Sequence, residues 1–283
     1  MKKVIYSILL VVCSFVGFGQ KSIFLQRKGS WYFSWGYNRS TYANSDIHFV
    51  GPGYDFTLDK VIAKDFPTPF SEIKTYFDPA LLSIPQFNFH VGYFLSDKWA
   101  LSVGWDHMKY VMVNDQASTI SGYINAQVSN PAISVNPAYV ASYDKKPFTI
   151  NSKDFLTFEH TDGFNYASVE LENYAPIWKG KKKHLQLDWM NGFGGGLIVP
   201  RSDVRLFTVG ANHFWNVAGA GASVKTGLRL NFSKLLYFEA VAKAGTTRLW
   251  DIRTTGRSVD HAEQSITYLE GYGALGFTFG NVK

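Results

Sequence analysis

The chain has 283 residues, of which 17% are aromatic and 25 are glycine, and its formal net charge is +6. The net charge is only mildly basic and is not concentrated as on a nucleic-acid-binding surface. Cys13 is the only cysteine. Because it lies in an N-terminal segment expected to be removed, no disulfide, catalytic thiol or cysteine metal site is expected.

The N-terminus has the pattern of a secretory signal peptide. Lys2 and Lys3 precede an apolar run at residues 4–18, and Gly17 and Gly19 are small residues suited to a cleavage site. We predict that residues 1–19 are a removed signal peptide and that residues 20–283 form a single domain. That domain has no run of eighteen apolar residues, so no transmembrane helix is expected.

The first predicted strand covers residues 31–39, where aromatic side chains alternate with small or polar ones. A long connection at residues 40–83 follows, and it contains a short predicted hairpin around Gly51-Pro52-Gly53. Residues 84–113 then form two alternating runs around the turn Ser96-Asp97-Lys98, which predicts a β-hairpin with one apolar face. A second long connection covers residues 115–163.

Five more strands are predicted, at residues 164–174, 184–199, 218–232, 236–245 and 266–279. Long connections at 200–216 and 246–265 alternate with short turns. An even number of strands with alternating long and short connections is typical of a transmembrane antiparallel up-and-down β-barrel with periplasmic turns and extracellular loops. A soluble barrel would reverse the two faces. The signal peptide, the aromatic strand ends and the charges on the opposite parity favour the all-β membrane barrel. Eight strands are counted, and ten strands remain the alternative.

Two stretches resemble a known family. The hairpin GYFLSDKWALSVGWDH and the final GYGALGFTFGNVK are similar to segments of the small outer-membrane β-barrel proteins of Gram-negative bacteria, the OmpX-, OmpW- and OmpA-like superfamily. The resemblance implies location in the outer membrane. It also implies insertion by the barrel-assembly machinery, with Tyr272, Phe277 and Phe279 as the assembly signal.

Charged residues on the inward parity are the first candidate site. The turn at residues 233–235 places Arg229 opposite Glu239 and Lys225 opposite Lys243, with Glu270 as a nearby carboxylate. Such a network is either a polar plug that stiffens the barrel or a narrow solute path. Its predicted members are Asp106, Asp188, Lys225, Arg229, Glu239, Lys243 and Glu270.

A second group is expected at the membrane interfaces. Trp99 marks the lower aromatic belt and Trp105 the upper one, while His107 and Lys109 are predicted to face lipid at the outer rim, where Lys109 could meet lipopolysaccharide phosphates. A lipid A deacylase or phospholipase would need a serine and a carboxylate beside such a histidine, and Ser102 is too low and points inward.

The sequence favours a non-enzymatic outer-membrane protein with a structural or surface-binding role, acting through the extracellular loops 40–83 and 114–163. A narrow channel for small or apolar solutes and a lipid-modifying enzyme are the alternatives. No cofactor, metal or nucleic acid is expected. The expected partners are outer-membrane lipid, lipopolysaccharide and an unknown extracellular ligand, and the protein is expected to be monomeric.

Overall fold

The computed structural model describes residues 25–78, 80–81, 84–181, 184–280 and 282. The predicted signal peptide lies outside these residues. Within them, none of the helices has the length and apolar character needed to cross a membrane. Nearly all regular structure is antiparallel sheet.

Eight strands form a closed ring, because the first ring strand pairs with both the second and the last. The all-β fold and the number of ring strands predicted from the sequence are thereby confirmed. The ring consists, in spatial order, of β1 (Trp31–Tyr42), β5 (Phe87–Phe94), β6 (Trp99–Met112), β11 (Leu156–Lys179), β12 (Gln186–Ile198), β15 (Gly219–Asn231), β16 (Leu236–Arg253) and β17 (His261–Phe279).

The register fixes the shape of this barrel. Following directly paired residues once around the ring from Trp31 leads back to Thr41 on the same strand, an offset of ten residues. An eight-stranded barrel with strands tilted by about 45° has an interior just wide enough for side chains to fill. The width of the barrel therefore leaves no room for a wide aqueous channel among its interior side chains.

The outward face of the lower barrel is an apolar belt. On β16 the outward positions from Leu236 to Ala244 are all apolar, and they alternate with buried Tyr237, Glu239 and Lys243. Nine residues at this tilt span about 20 Å, close to the apolar height of a membrane barrel. Exposed members of the belt include Trp31, Trp99, Leu101, Val103, Val169, Trp189, Phe193, Val224, Leu228, Phe238, Leu269, Leu275, Phe277 and Phe279.

The polarity of the two faces reverses higher along the same strands. On β17 the inward residues change from Glu270 to Ile266 and Ala262, while outward Glu263 pairs with Arg248 of β16. An apolar outer face needs lipid, whereas an apolar inner face with charges outside needs water around it. The reversal therefore marks the upper edge of the membrane near Leu269.

The segments between ring strands build a cap on this water-exposed end. The sheet continues from β17 through β2 (Ser45–Gly51), β3 (Tyr54–Val61) and β7 (Ala117–Ile124) to β10 (Ala141–Thr149). On the other side, β13 (Arg201–Leu206) and β14 (Val209–Trp215) extend from β11. The smaller cap strands are β4 (Ala63–Lys64), β8 (Gln127–Val128) and β9 (Ile133–Ser134).

An aromatic core holds the cap together. Phe155 before β11 packs on Phe56 of β3 and on Phe207 of the β13–β14 turn, with ring centroids 5.7 and 5.6 Å apart, and Phe49 meets Phe158 at 6.1 Å. All five side chains are buried. Burying five such rings contributes on the order of 10 kcal/mol of hydrophobic free energy. The cap is therefore an ordered extension of the barrel.

Several predicted strand boundaries were wrong because the sequence analysis assigned too few residues to strands. The short hairpin around residue 52 exists as β2 and β3, but residues 114–163 and 246–265 were interpreted as connections and contain β7, β10 and the upper halves of three ring strands. β11 begins before the predicted strand start at residue 164 and has a register shift between His160 and Phe164. It also continues to Lys179, beyond the predicted end at residue 174.

A short helical segment lies outside the ring. A 3-10 helix at Phe70–Glu72 leads directly into α1 (Ile73–Phe77), between β4 and β5. The ring of Tyr76 packs on Tyr37 of β1 with centroids 5.1 Å apart. Because Tyr37 points outward from the barrel, α1 lies against its outer wall.

Candidate functional site

The lowest layer of the lumen is closed by the chain that precedes β1. Arg27 enters the barrel and pairs with Asp188 of β12 at 2.8 Å, and its guanidinium lies 5.1 Å from the ring centre of Phe94. The backbone N–H of Arg27 donates to Asp97 in the turn between β5 and β6 at 2.8 Å. This residue thus fills the periplasmic end of the lumen.

The next layer centres on Arg229 of β15. It donates two hydrogen bonds to one oxygen of Glu239 at 3.0 and 3.1 Å and one to the hydroxyl of Tyr174 at 2.7 Å. The rings of Tyr237, Tyr174 and Tyr32 lie 3.9 to 4.7 Å from the guanidinium carbon. Cation–π contacts and a charge-assisted pair together stabilise this cation out of water, although its Nη1 atom has no hydrogen-bond partner among the described residues.

The upper layer joins two lysines through one carboxylate. Glu170 of β11 accepts Lys225 at 2.6 Å on one oxygen and Lys243 at 2.7 Å on the other. Lys225 also pairs with Glu172 at 2.6 Å, and Lys243 contacts Asp106. The lysines do face one another across β15 and β16, but Glu170 rather than Glu270 bridges them.

Glu270 lies at the top of the network. It accepts a hydrogen bond from Asn88 at 2.8 Å, and the same amide donates to Asp106 at 2.7 Å. Asn88 therefore links two carboxylates that would otherwise repel each other.

His90, Asp106 and Glu170 form a group with metal-ligand chemistry. The Nε2 atom of His90 lies 3.6 Å from an oxygen of each carboxylate. However, the ammonium group of Lys243 contacts both carboxylates through their other oxygens. A cation already balances the pair, so the geometry favours an ion-pair network over a metal site.

The network fills the lumen. Its six carboxylates and four cations are each at most 6% exposed, and the apolar core of the cap covers its upper end. A solute path would need a continuous row of hydrated groups, and these groups instead hold each other. Their mutual pairing favours the polar plug over the solute path, and the role of the network stays a prediction.

The predicted interface residues occupy two different environments. Trp99 is 42% exposed at the lower end of β6, and Trp105 is partly exposed higher up. His107 and Lys109 were expected to face lipid but are only 6% and 8% exposed. His107 stacks on Phe87 with ring centroids 5.0 Å apart and shares a 2.7 Å hydrogen bond with Asn165, because the displaced part of β11 covers this edge.

A cleft opens on the outer surface of the cap. It has a volume of about 350 Å³ and is lined by Asp115, Tyr139, Thr149, Asn151 and Lys153. Hydrogen bonds from the backbone and hydroxyl of Ser152 lower the pKa of Asp115. Burial, and a hydrogen bond to Asp154, raise the pKa of Tyr139 to about 12. The cleft thus combines a fixed anion, an aromatic ring, an amide and an ammonium group.

One serine–histidine pair lies in the cap. Ser202 and Nδ1 of His160 are 3.0 Å apart, and both side chains are almost completely buried. Tyr110, Phe158 and Phe164 surround the imidazole, with ring centroids 5.2 to 6.0 Å away. No substrate can reach this pair in the structure, so it supports packing of the cap rather than hydrolysis.

Comparisons with known proteins were made at the level of sequence and of structure. No protein-family model matches the chain, and no curated protein matches it. Among solved structures, the outer membrane protein OprG from Pseudomonas aeruginosa is 8% identical, with a TM-score of 0.42, covering 90% of this chain and 98% of that one. Ail, the attachment invasion locus protein of Yersinia pestis, is 13% identical, with a TM-score of 0.31, covering 89% and 99%. The outer membrane protease OmpT from Escherichia coli is 5% identical, with a TM-score of 0.24, covering 92% and 99%.

The class of protein is decided by the closed ring of strands and by the polarity of its two faces. A closed eight-stranded ring has an apolar belt outside, a charged interior and a reversal of both faces above the belt. Only a β-barrel embedded in lipid over its lower part meets these conditions, and barrels of this kind belong to outer membranes. The chain is an outer-membrane β-barrel.

The last strand of this outer-membrane barrel places the proposed assembly signal on both faces. Phe277 and Phe279 point into the lipid belt, and Tyr272 points into the lumen, stacked on His90 with ring centroids 5.9 Å apart. Recognition by the assembly machinery stays a prediction.

The list of lumen residues predicted from the sequence omits four members of the network, which are Arg27, His90, Glu170 and Glu172. Arg27 lies in a short polar lead without periodicity, and no local signal shows that it folds into the barrel. His90 was placed on the inward parity, but its position between Asp106 and Glu170 depends on the register of four strands.

Proposed function

We propose that this outer-membrane barrel is a non-enzymatic surface protein that binds an extracellular ligand through the cleft on its cap. The observation that carries the proposal is a cleft of about 350 Å³ built on an ordered, aromatic-cored extension of the barrel. Binding sites are commonly concave surfaces held by a rigid scaffold.

The lining defines the chemistry of the ligand. Lys153 offers a cation at the rim and Asp115 an anion, while Tyr139 offers an aromatic face. Tyr139 is fixed in place, since its ring packs 4.8 Å from Phe155 and its hydroxyl donates to Asp154 at 2.6 Å. A polar ligand with an anionic group, such as an acidic sugar or an acidic peptide, fits this combination.

The test uses the refolded mature protein in lipid nanodiscs, applied to arrays of acidic and neutral glycans and of acidic and basic peptides. We expect binding to a set of acidic probes that is lost in Lys153→Glu. The matched control is Lys146→Glu, which reverses an exposed charge on β10 outside the cleft.

Two results would contradict the proposal. One is the absence of binding to every acidic probe. The other is equal loss of binding in the two charge-reversal variants, since a general charge effect would then replace a defined site.

A further inference from the structure

The segment at residues 66–77 exposes large apolar side chains beside the lipid belt. Phe66 is 55% exposed, Ile73 is 58% and Phe77 is 77%. Ile73 and Phe77 are four residues apart on α1, so they lie on the same side of the helix. This side is apolar and has no protein partner among the described residues.

The segment is fixed to the barrel wall. Arg39 of β1 pairs with Asp65 at 2.7 Å, and the hydroxyl of Tyr37 donates to the backbone oxygen of Tyr76. The hydroxyl of Tyr76 in turn donates to the backbone oxygen of Thr68. The exposed side chains are thus presented by a segment that is tied to β1 at two points.

The contacts with β1 fix the height of residues 66–77 along the lipid-facing wall of the barrel. Tyr37 lies six residues above Trp31 on β1 and on the same outward face, which is about 14 Å higher at a tilt of about 45°. Trp35 and Phe87, stacked 4.6 Å apart just below it, belong to the lipid-facing wall. The apolar side of α1 is therefore continuous with the upper part of the belt.

We propose that residues 66–77 form an interfacial anchor whose Ile73 and Phe77 insert into the acyl chains of the outer leaflet. Leaving such large apolar side chains in water is unfavourable, and a neighbouring bilayer removes that cost. Lys74 on the same helix is exposed and supplies a cation that lipid headgroup phosphates would attract. The segment thereby enlarges the lipid-contacting surface of the barrel next to β1 and β5.

Residues 20–283 contain no cysteine, so single cysteines can be introduced and spin-labelled. The labelled variants are Ile73→Cys and Phe77→Cys, in the full mature protein reconstituted into dioleoylphosphatidylcholine vesicles. Val169→Cys reports the lipid belt and Asp144→Cys the aqueous cap, because both positions are exposed in the structure. Heat-modifiable gel migration confirms that each variant is folded.

We expect labels at residues 73 and 77 to be more accessible to oxygen than to a water-soluble nickel chelate, as at residue 169. An accessibility order like that of residue 144 would overturn the proposal. Dipolar broadening between labels on different molecules would also overturn it, because a second copy of the chain would then cover the segment.

Discussion

Single charged side chains in the lumen depend on their partners, because the low-dielectric interior offers no water to replace them. Arg229 shows this dependence most clearly, since one carboxylate, one hydroxyl and three aromatic rings surround it. Its pairing with Glu239 follows from the length of the turn at residues 233–235 and could be predicted from the sequence. The three tyrosines come from three different strands, and only the closed ring brings them together.

Arg229→Met should lower the free energy of unfolding in lipid vesicles by about 3–5 kcal/mol, because Glu239 is left buried without a cation. Urea titration followed by tryptophan fluorescence measures the change. The matched double variant Arg229→Met/Glu239→Leu should recover most of the loss. A loss below about 1 kcal/mol in the single variant would contradict the network.

His160 makes cap stability depend on pH. Burial lowers its folded pKa to about 3, from an ordinary value of about 6.5. Between these values the unfolded chain binds a proton that the folded chain does not, so stability falls as pH decreases from about 6.5 towards 3. His160→Phe should flatten this dependence between pH 6.5 and 4.5, as measured by urea unfolding of the cap. Equal slopes for wild type and His160→Phe would refute the assignment.

At the scale of elements, the sequence pattern identified the eight ring strands and the β2–β3 hairpin, but not the other strands of the cap. The upper half of β16 shows why. Beyond Gly245 its inward residues become Leu249 and Ile252, and outward Arg248 faces water, so a search for a lipid-facing pattern ends too early. In β10, Lys145, Lys146 and Pro147 are typical of an edge strand and hide the pairing with β7. These strands are specified by partners far away in the sequence.

Phe155→Ala should destabilise the cap without unfolding the barrel, because Phe155 contacts only aromatic side chains of the cap in the ring pairs observed. We expect a loss of about 3–5 kcal/mol. Trypsin should then cleave after Lys145 or Lys153 while the barrel retains its heat-modifiable migration. Phe193→Ala, which removes an exposed ring from the lipid belt, is the control and should leave the cap resistant. Simultaneous loss of cap and barrel in Phe155→Ala would show that they fold as one unit.

At the scale of the whole molecule, the barrel consists of two parts that share strands but reverse their faces at the membrane surface. The lower part has charge inside and lipid outside, and the upper part has an aromatic core inside and water outside. The charged interior of the lower part is covered by Arg27 below and by the cap core above. A filled lumen beneath an ordered cap is the arrangement that the proposed surface role requires.

The most direct test of this account is single-channel recording of the refolded mature protein in planar lipid bilayers, with a general porin as positive control in the same membrane. A lumen filled by paired charges and covered by an apolar core should give a stable baseline without discrete conductance steps. Reproducible unitary steps that depend on the presence of the folded protein would contradict the closed lumen, and with it the assignment of function to the cap.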